Sequence, residues 1–118
     1  MTDDEAWTME KRFWTEGPGF YREHLSDECL LTFPAPTGIL QGTGFVDDME
    51  GEPLWQAVDF LERAVTRPSD DVLTLAYMAE GEKRDGEEAV LYRAHCSSSY
   101  VRRDGCWLLF QHQQTPET

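Results

Sequence analysis

Two Asp-Gly pairs, Asp85-Gly86 and Asp104-Gly105, separate runs of alternating apolar and polar residues between positions 71 and 114. Asp-Gly readily adopts the positive backbone angles of a two-residue turn whose twist matches paired strands, which makes it the strongest short signal for a β-hairpin. Two such turns in succession commit the C-terminal part of the chain to a three-stranded antiparallel meander. The chain begins differently. Ala6, Trp7, Met9, Phe13 and Trp14 recur close to helical spacing, and Asp3, Asp4 and Glu5 lie where a helix N-terminus favours negative charge. "EGPGF" at 16–20 breaks that helix, and Pro18 suits the first position of a second, short one carrying Phe20, Tyr21, His24 and Leu25.

"CLLTF" at 29–33, ended by "PAP", reads as a first strand, and residues 44–50 allow one or two helical turns. "WQAVDFLERAVTR" at 55–67 is ambiguous: its composition suits a helix, whereas Val58, Phe60, Glu62 and Ala64 alternate as a strand does. Helices followed by a meander give an α+β class with helices on one face of the sheet. A chain of 118 residues is one domain, spanning 1–118, and is long enough to bury a core.

The charge balance narrows the partners. Ten Lys and Arg against 23 Asp and Glu give a net charge of -13. Binding to nucleic acid draws on a basic surface that releases counterions, and an anionic membrane selects the same charge, so neither partner is expected. The acidic, then amphipathic N-terminus does not have the pattern of a secretory leader, and no run of 18 apolar residues occurs. Cys29, Cys96 and Cys106 are odd in number and form no C-x-x-C, which suits buried thiols in a reducing, cytoplasmic setting.

Tight turns at both Asp-Gly pairs would place Met78 opposite Arg93, Val101 opposite Cys106 and His95 opposite His112. Residues two apart share a face. One face then holds Thr74, Ala76, Met78, Glu80, Arg93, His95, Ser97, Phe110, His112 and Gln114. The other holds Leu73, Leu75, Tyr77, Tyr92, Ala94, Cys96, Tyr100, Trp107, Leu109 and Gln111. The first mixes apolar and convergent polar groups, as a small-molecule pocket requires. The second is apolar enough to be core or a subunit interface. A single bulge would exchange the sets locally.

"YRAHCSSSYVRRDGCWLLFQHQQTP" at 92–116 resembles the C-terminal meander of the SnoaL-like group in the nuclear transport factor 2-like superfamily, in particular its members of unknown function. "LSDECLLTFPAPTGILQG" resembles that superfamily's first strand and the loop behind it. The resemblance implies a cone-shaped fold, with a strongly bent antiparallel sheet wrapped around N-terminal helices and a pocket between them. It also implies that 55–66 is a strand, and that two copies pair through the outer sheet face, for which Tyr77, Tyr100, Trp107 and Leu109 would be suitable. It does not carry a mechanism, because the superfamily includes isomerases, cyclases, dehydratases and non-catalytic association domains. Its ketosteroid isomerases place an aspartate base immediately before a proline at the end of the first strand. Phe33 stands there in this chain and cannot accept a proton, and the oxyanion-hole tyrosine would fall near Met9.

The expectation is a domain binding a small, largely apolar molecule with an anionic or polar end. Arg93, Gln114, Met78, Phe110, Phe33, Trp14 and Trp55 are the ligand-binding candidates. Arg93 has the planar fork for a carboxylate, but Glu80 is an equally good structural partner. The enzymatic alternative is a lyase, isomerase or cyclase with His112 or His95 as general base, since imidazole titrates near neutral pH. A third reading is a dimerisation domain with an incidental pocket. No H-x-H or H-x-x-x-H occurs, so neither metal nor cofactor is expected. "CSSS" at 96–99 lies mid-strand rather than on a nucleophile elbow, and "GTG" at 42–44 is too short for a phosphate loop.

Overall fold

The computed structural model describes residues 1–52 and 54–117. Helix α1 (Asp3–Thr15) starts at a capping box in which Thr2 and Glu5 satisfy each other's backbone N–H groups, with three acidic residues in the first turn. Its buried stripe is Ala6, Trp7, Glu10, Phe13 and Trp14, the i, i+3, i+4 spacing of one helix face; Met9 stands at the edge of that stripe. Gly17 and Pro18 redirect the chain, and Pro18 opens α2 (Pro18–His24) at the position where its missing N–H costs nothing. Leu25 already belongs to strand β1 (Leu25–Thr32), which begins earlier than the apolar run 29–33 suggests. A short β2 (Ile39–Gln41) and a 3-10 helix (Gly44–Met49) follow.

The ambiguous segment is a strand, β3 (Ala57–Ser69), followed by β4 (Val72–Asp85), β5 (Glu88–Arg103) and β6 (Cys106–Pro116). All six strands form one unclosed, curled sheet in the order β2-β1-β6-β5-β4-β3. Every neighbouring pair is antiparallel except β1 and β6, which run parallel. The helices cover its inner face. Trp7 of α1 packs on Phe60 and Tyr77 at centroid separations of 5.8 and 5.7 Å, joining the first helix to β3 and β4. Leu73, Leu75 and Tyr100 are wholly buried there. Each such aliphatic side chain contributes roughly 1.5–3 kcal/mol through removal of its apolar surface from water.

Both hairpins form where the Asp-Gly pairs lie, each two residues out of the expected register. Arg84 faces Ala89 rather than Glu87, and Arg103 faces Cys106, with Asp104 and Gly105 at φ of 52° and 79°. A two-residue slip preserves the faces. A β-bulge does not. Between Ser99 and Tyr100 the β5–β6 register shifts: Tyr100 faces Leu109, but Ser99 faces Gln111, leaving Phe110 as the extra residue on β6. Beyond that point His112 faces Ser98 and Gln114 faces Cys96.

The two sets of residues hold, but their roles differ from the pocket and dimer-surface readings. The apolar set is the inner face, and Tyr77, Tyr100 and Leu109, expected on an outer dimer surface, belong to the buried core. The mixed set lies on the outer face, except that the bulge carries His112 and Gln114 inward. Cys29 and Cys96 are buried and Cys106 is exposed, so the expectation of three buried thiols holds for two of them.

Gly81 marks the tightest approach on the inner face. A Cβ there would stand 2.9 Å from Cε3 of Trp55. That indole is also held against Tyr92 at 5.2 Å and Trp14 at 5.6 Å, so it has little room to yield. Gly81→Ala should cost about 1–3 kcal/mol through overpacking. The check is a urea melt followed by tryptophan fluorescence; an unchanged midpoint and emission maximum would contradict this packing.

Candidate functional site

A carboxylate in the middle of an apolar helix stripe is the starting point. Glu10 is 1% exposed. Burying an ionised carboxylate costs several kcal/mol unless donors surround it. Three hydroxyls do so: Tyr77 of β4 and Ser98 of β5 donate to Oε2, and Tyr100 of β5 donates to Oε1. Tyr77 in turn accepts from the Trp14 indole N–H at 3.1 Å, which leaves its own proton for Glu10. All three hydroxyls spend their single proton on this carboxyl group, which is therefore an acceptor on both oxygens.

His112 extends the network from β6. Its Nδ1 lies 2.6 Å from Ser98 Oγ, and 3.6 Å from Glu10 Oε2. Because the Ser98 proton goes to Glu10, Nδ1 carries a hydrogen and donates to the serine oxygen. On the other side, Nε2 lies 2.8 Å from the Gln114 amide, which reaches the Tyr92 hydroxyl at 3.1 Å. An amide can turn over without changing its outline. With its oxygen towards His112 it accepts from a protonated Nε2. With its nitrogen towards His112 it donates to a bare Nε2, and Tyr92 then donates to its oxygen. The chain Glu10–Ser98–His112–Gln114–Tyr92 thus accommodates the ring with or without a proton at Nε2.

The environment raises neighbouring acid groups. Burial, and then the charge of Glu10, push the Tyr77 and Tyr100 hydroxyls well above the usual phenol range. The same two causes push the Cys96 thiol up to about 12.

Beside this network a partly open cavity of about 240 Å³ lies between α1, β1, β6 and the side chains of Met49, Glu52, Leu54 and Trp55. Taking a water's share of liquid as about 30 Å³, that is room for roughly eight waters. Glu10, Leu31, Leu109 and His112 line it together with Phe13, Trp14, Tyr21, Phe33, Trp55 and Gln114. Phe33 packs against the His112 ring at 5.7 Å and forms an apolar wall of the cavity.

Of the residues singled out from the sequence, His112, Gln114, Phe33, Trp14 and Trp55 meet around this cavity. Arg93, His95, Met78 and Phe110 do not line it, because they lie on the outer face of the sheet and the bulge turns only the residues of β6 beyond Phe110 inward. Arg93 is bound to Glu117 at 3.0 Å and stands 4.0 Å from Glu80, its structural alternative. His95 faces Thr115 rather than His112, and its ring lies in the open, 3.6 Å from Glu62. Glu10, Ser98, Tyr77 and Tyr100 were not among the site candidates. The signal for Glu10 was present: with Ala6, Trp7, Phe13 and Trp14 it completes the stripe better than Met9 does. Among the described residues, no group of three or more His, Cys, Asp or Glu side chains is placed to hold a metal ion. No helix among them is long and apolar enough to cross a membrane.

No protein-family profile matches this sequence, and no curated protein sequence does. Solved structures do. A nuclear transport factor 2-like protein from Cytophaga hutchinsonii superposes with a TM-score of 0.78 at 16% identity, covering 99% of this chain and 100% of that one. A nuclear transport factor 2-like protein of unknown function from Prochlorococcus sp. NATL2A gives 0.79 at 12% identity, covering 100% and 95%. The association domain of CaMKII from C. elegans gives 0.77 at 16% identity, covering 95% and 90%. The chain has the nuclear transport factor 2-like fold.

Two outcomes follow from the network. Glu10→Ala leaves three buried hydroxyls without their acceptor and should cost about 3–5 kcal/mol, measured by urea unfolding; a loss below about 1 kcal/mol would mean that the carboxylate is not the hub. The second concerns alkali. Tyr77 and Tyr100 hold their protons more tightly folded than unfolded, so their contribution is complete below pH about 10 and is lost as pH rises further. Stability should therefore fall above pH 10, and less steeply in Tyr100→Phe. Equal slopes in both proteins would show that Tyr100 does not take part.

Proposed function

We propose that this chain is a small-molecule-binding domain whose cavity takes a largely apolar ligand with a polar end, its body held between the aromatic walls and the floor of His112 and Gln114. The observation that carries the reading is the pairing of aromatic walls with a buried, fully hydrogen-bonded polar floor, the combination by which ligand sites fix orientation. Phe33 at the place of the isomerase base favours binding over that chemistry. The Arg93 clamp for an anionic end is withdrawn, since that side chain is engaged on the other face of the sheet.

A second reading has its own support. The likeness to a kinase association domain, together with an exposed apolar side chain, Leu61, on the outer face of the sheet, supports self-association, with a homodimer as the simplest form. The two readings are compatible, because cavity and outer face lie on opposite sides of the sheet.

The test is a thermal-shift screen of small aromatics, steroids, carboxylates and amines on wild type and His112→Ala, alongside sedimentation analysis of both. A ligand at about 100 times its Kd adds roughly 2.7 kcal/mol of stability. A hit in wild type that is lost or weakened in His112→Ala is the expected result. No hit across the panel, with a stable dimer throughout, would replace the binding reading with the association reading.

A further inference from the structure

Resting on that reading, we propose that the ligand's polar end is an organic cation, an ammonium group carried on an apolar body. The charged side chains that line the cavity are Glu10, Glu16 and Glu52, with His112 beside Glu10; none of the lining residues is Lys or Arg. An anionic end would meet three carboxylates with no basic side chain to receive it.

The three carboxylates are not equivalent. Glu10 is saturated by three hydroxyls, and Glu16 is paired with Arg12 one turn earlier on α1. Glu52 is exposed at the cavity and has no ion-pair partner among the described residues. It is the charge left to pair with a ligand. The walls favour the same sign. Trp14, Trp55, Phe33 and Tyr21 present aromatic rings, whose negative faces attract ammonium groups, most strongly for indole. Trp55 already draws one: the Lys83 ammonium stands 4.7 Å from its ring centre, reaching it from β4 and outside the cavity lining. The net charge of -13 adds a field that concentrates cations at the surface.

The experiment compares three soluble probes with one phenyl body and different heads: phenethylammonium, 2-phenylethanol and 3-phenylpropionate. Binding is followed by calorimetry and tryptophan fluorescence on wild type, Glu52→Gln and Glu88→Gln. The last removes the same charge from the β4–β5 hairpin, at a residue that does not line the cavity, and controls for general attraction to an acidic protein. Phenethylammonium should bind about tenfold more tightly than the alcohol, and the propionate most weakly. Glu52→Gln should reduce the preference for the cation several-fold and leave the alcohol unchanged, and Glu88→Gln should change neither. If the alcohol or the propionate binds as tightly as the cation, or if the two variants act alike, the cation falls and the cavity reading stands. If none of the three binds at millimolar concentration, the cavity reading fails and the cation with it.

Discussion

A single desolvated carboxylate sets the terms for the rest of this structure. Glu10 lies on the buried stripe of α1, where no water can solvate it, so the protein must supply every donor that the solvent would have given. Those donors come from three strands, namely Tyr77 on β4, Ser98 and Tyr100 on β5 and, through Ser98, His112 on β6. Each must arrive on the inner face at the same height along the sheet. The helix, the β4–β5 register and the β5–β6 register are therefore one constraint. A one-residue slip in either hairpin would turn a donor outward and leave a buried charge under-coordinated.

The β-bulge is part of that constraint. Without the extra Phe110, His112 would share a face with Met78 and Glu80, and the Ser98 oxygen would have no ring to accept from. With it, two polar residues at the end of an otherwise apolar strand turn under the helix. The closing run "WLLFQHQQ" makes physical sense in these terms. Its first half is ordinary core, and its second half supplies the polar floor of a cavity.

How much of this could be read from the sequence follows from the range of each interaction. The hairpins were legible because turn chemistry is local: Asp104 and Gly105 adopt positive angles that a short polar side chain and a residue without Cβ tolerate. The first helix was legible from its stripe and its acidic N-terminus. β3 was not, because Val58 and Phe60 are buried while most of its later residues are exposed, so a half-covered edge strand carries little periodicity of its own. The family resemblance settled that segment where the pattern did not. The bulge was illegible in principle, since one inserted residue leaves composition and alternation intact while exchanging the faces beyond it. Arg93, His95, Met78 and Phe110 are misplaced because a reading from the sequence takes the mixed face as the pocket side, whereas the apolar face is the inner one; the bulge alone brings His112 and Gln114 inward. Glu10 was missed for a different reason: a charged residue in a helix is by default taken as solvated, even where it completes an apolar stripe.

Fold and cavity are joined through the same side chains. Trp14 donates to Tyr77 within the network and forms a wall of the cavity; His112 is held by Ser98 and faces the cavity with Gln114. A ligand that touches the floor therefore touches the group that sets the registers of β4, β5 and β6. The Gln114 amide can present either its oxygen or its nitrogen to His112, so the floor adapts to a donor or an acceptor without moving the ring. The walls cannot adapt in that way, because Phe33, Trp14 and Trp55 are packed against His112, Tyr92 and each other. Selectivity by hydrogen-bond type is weak in such a site. Shape, and the sign of the ligand's charge against the carboxylates around the cavity, are what remain to discriminate one small molecule from another.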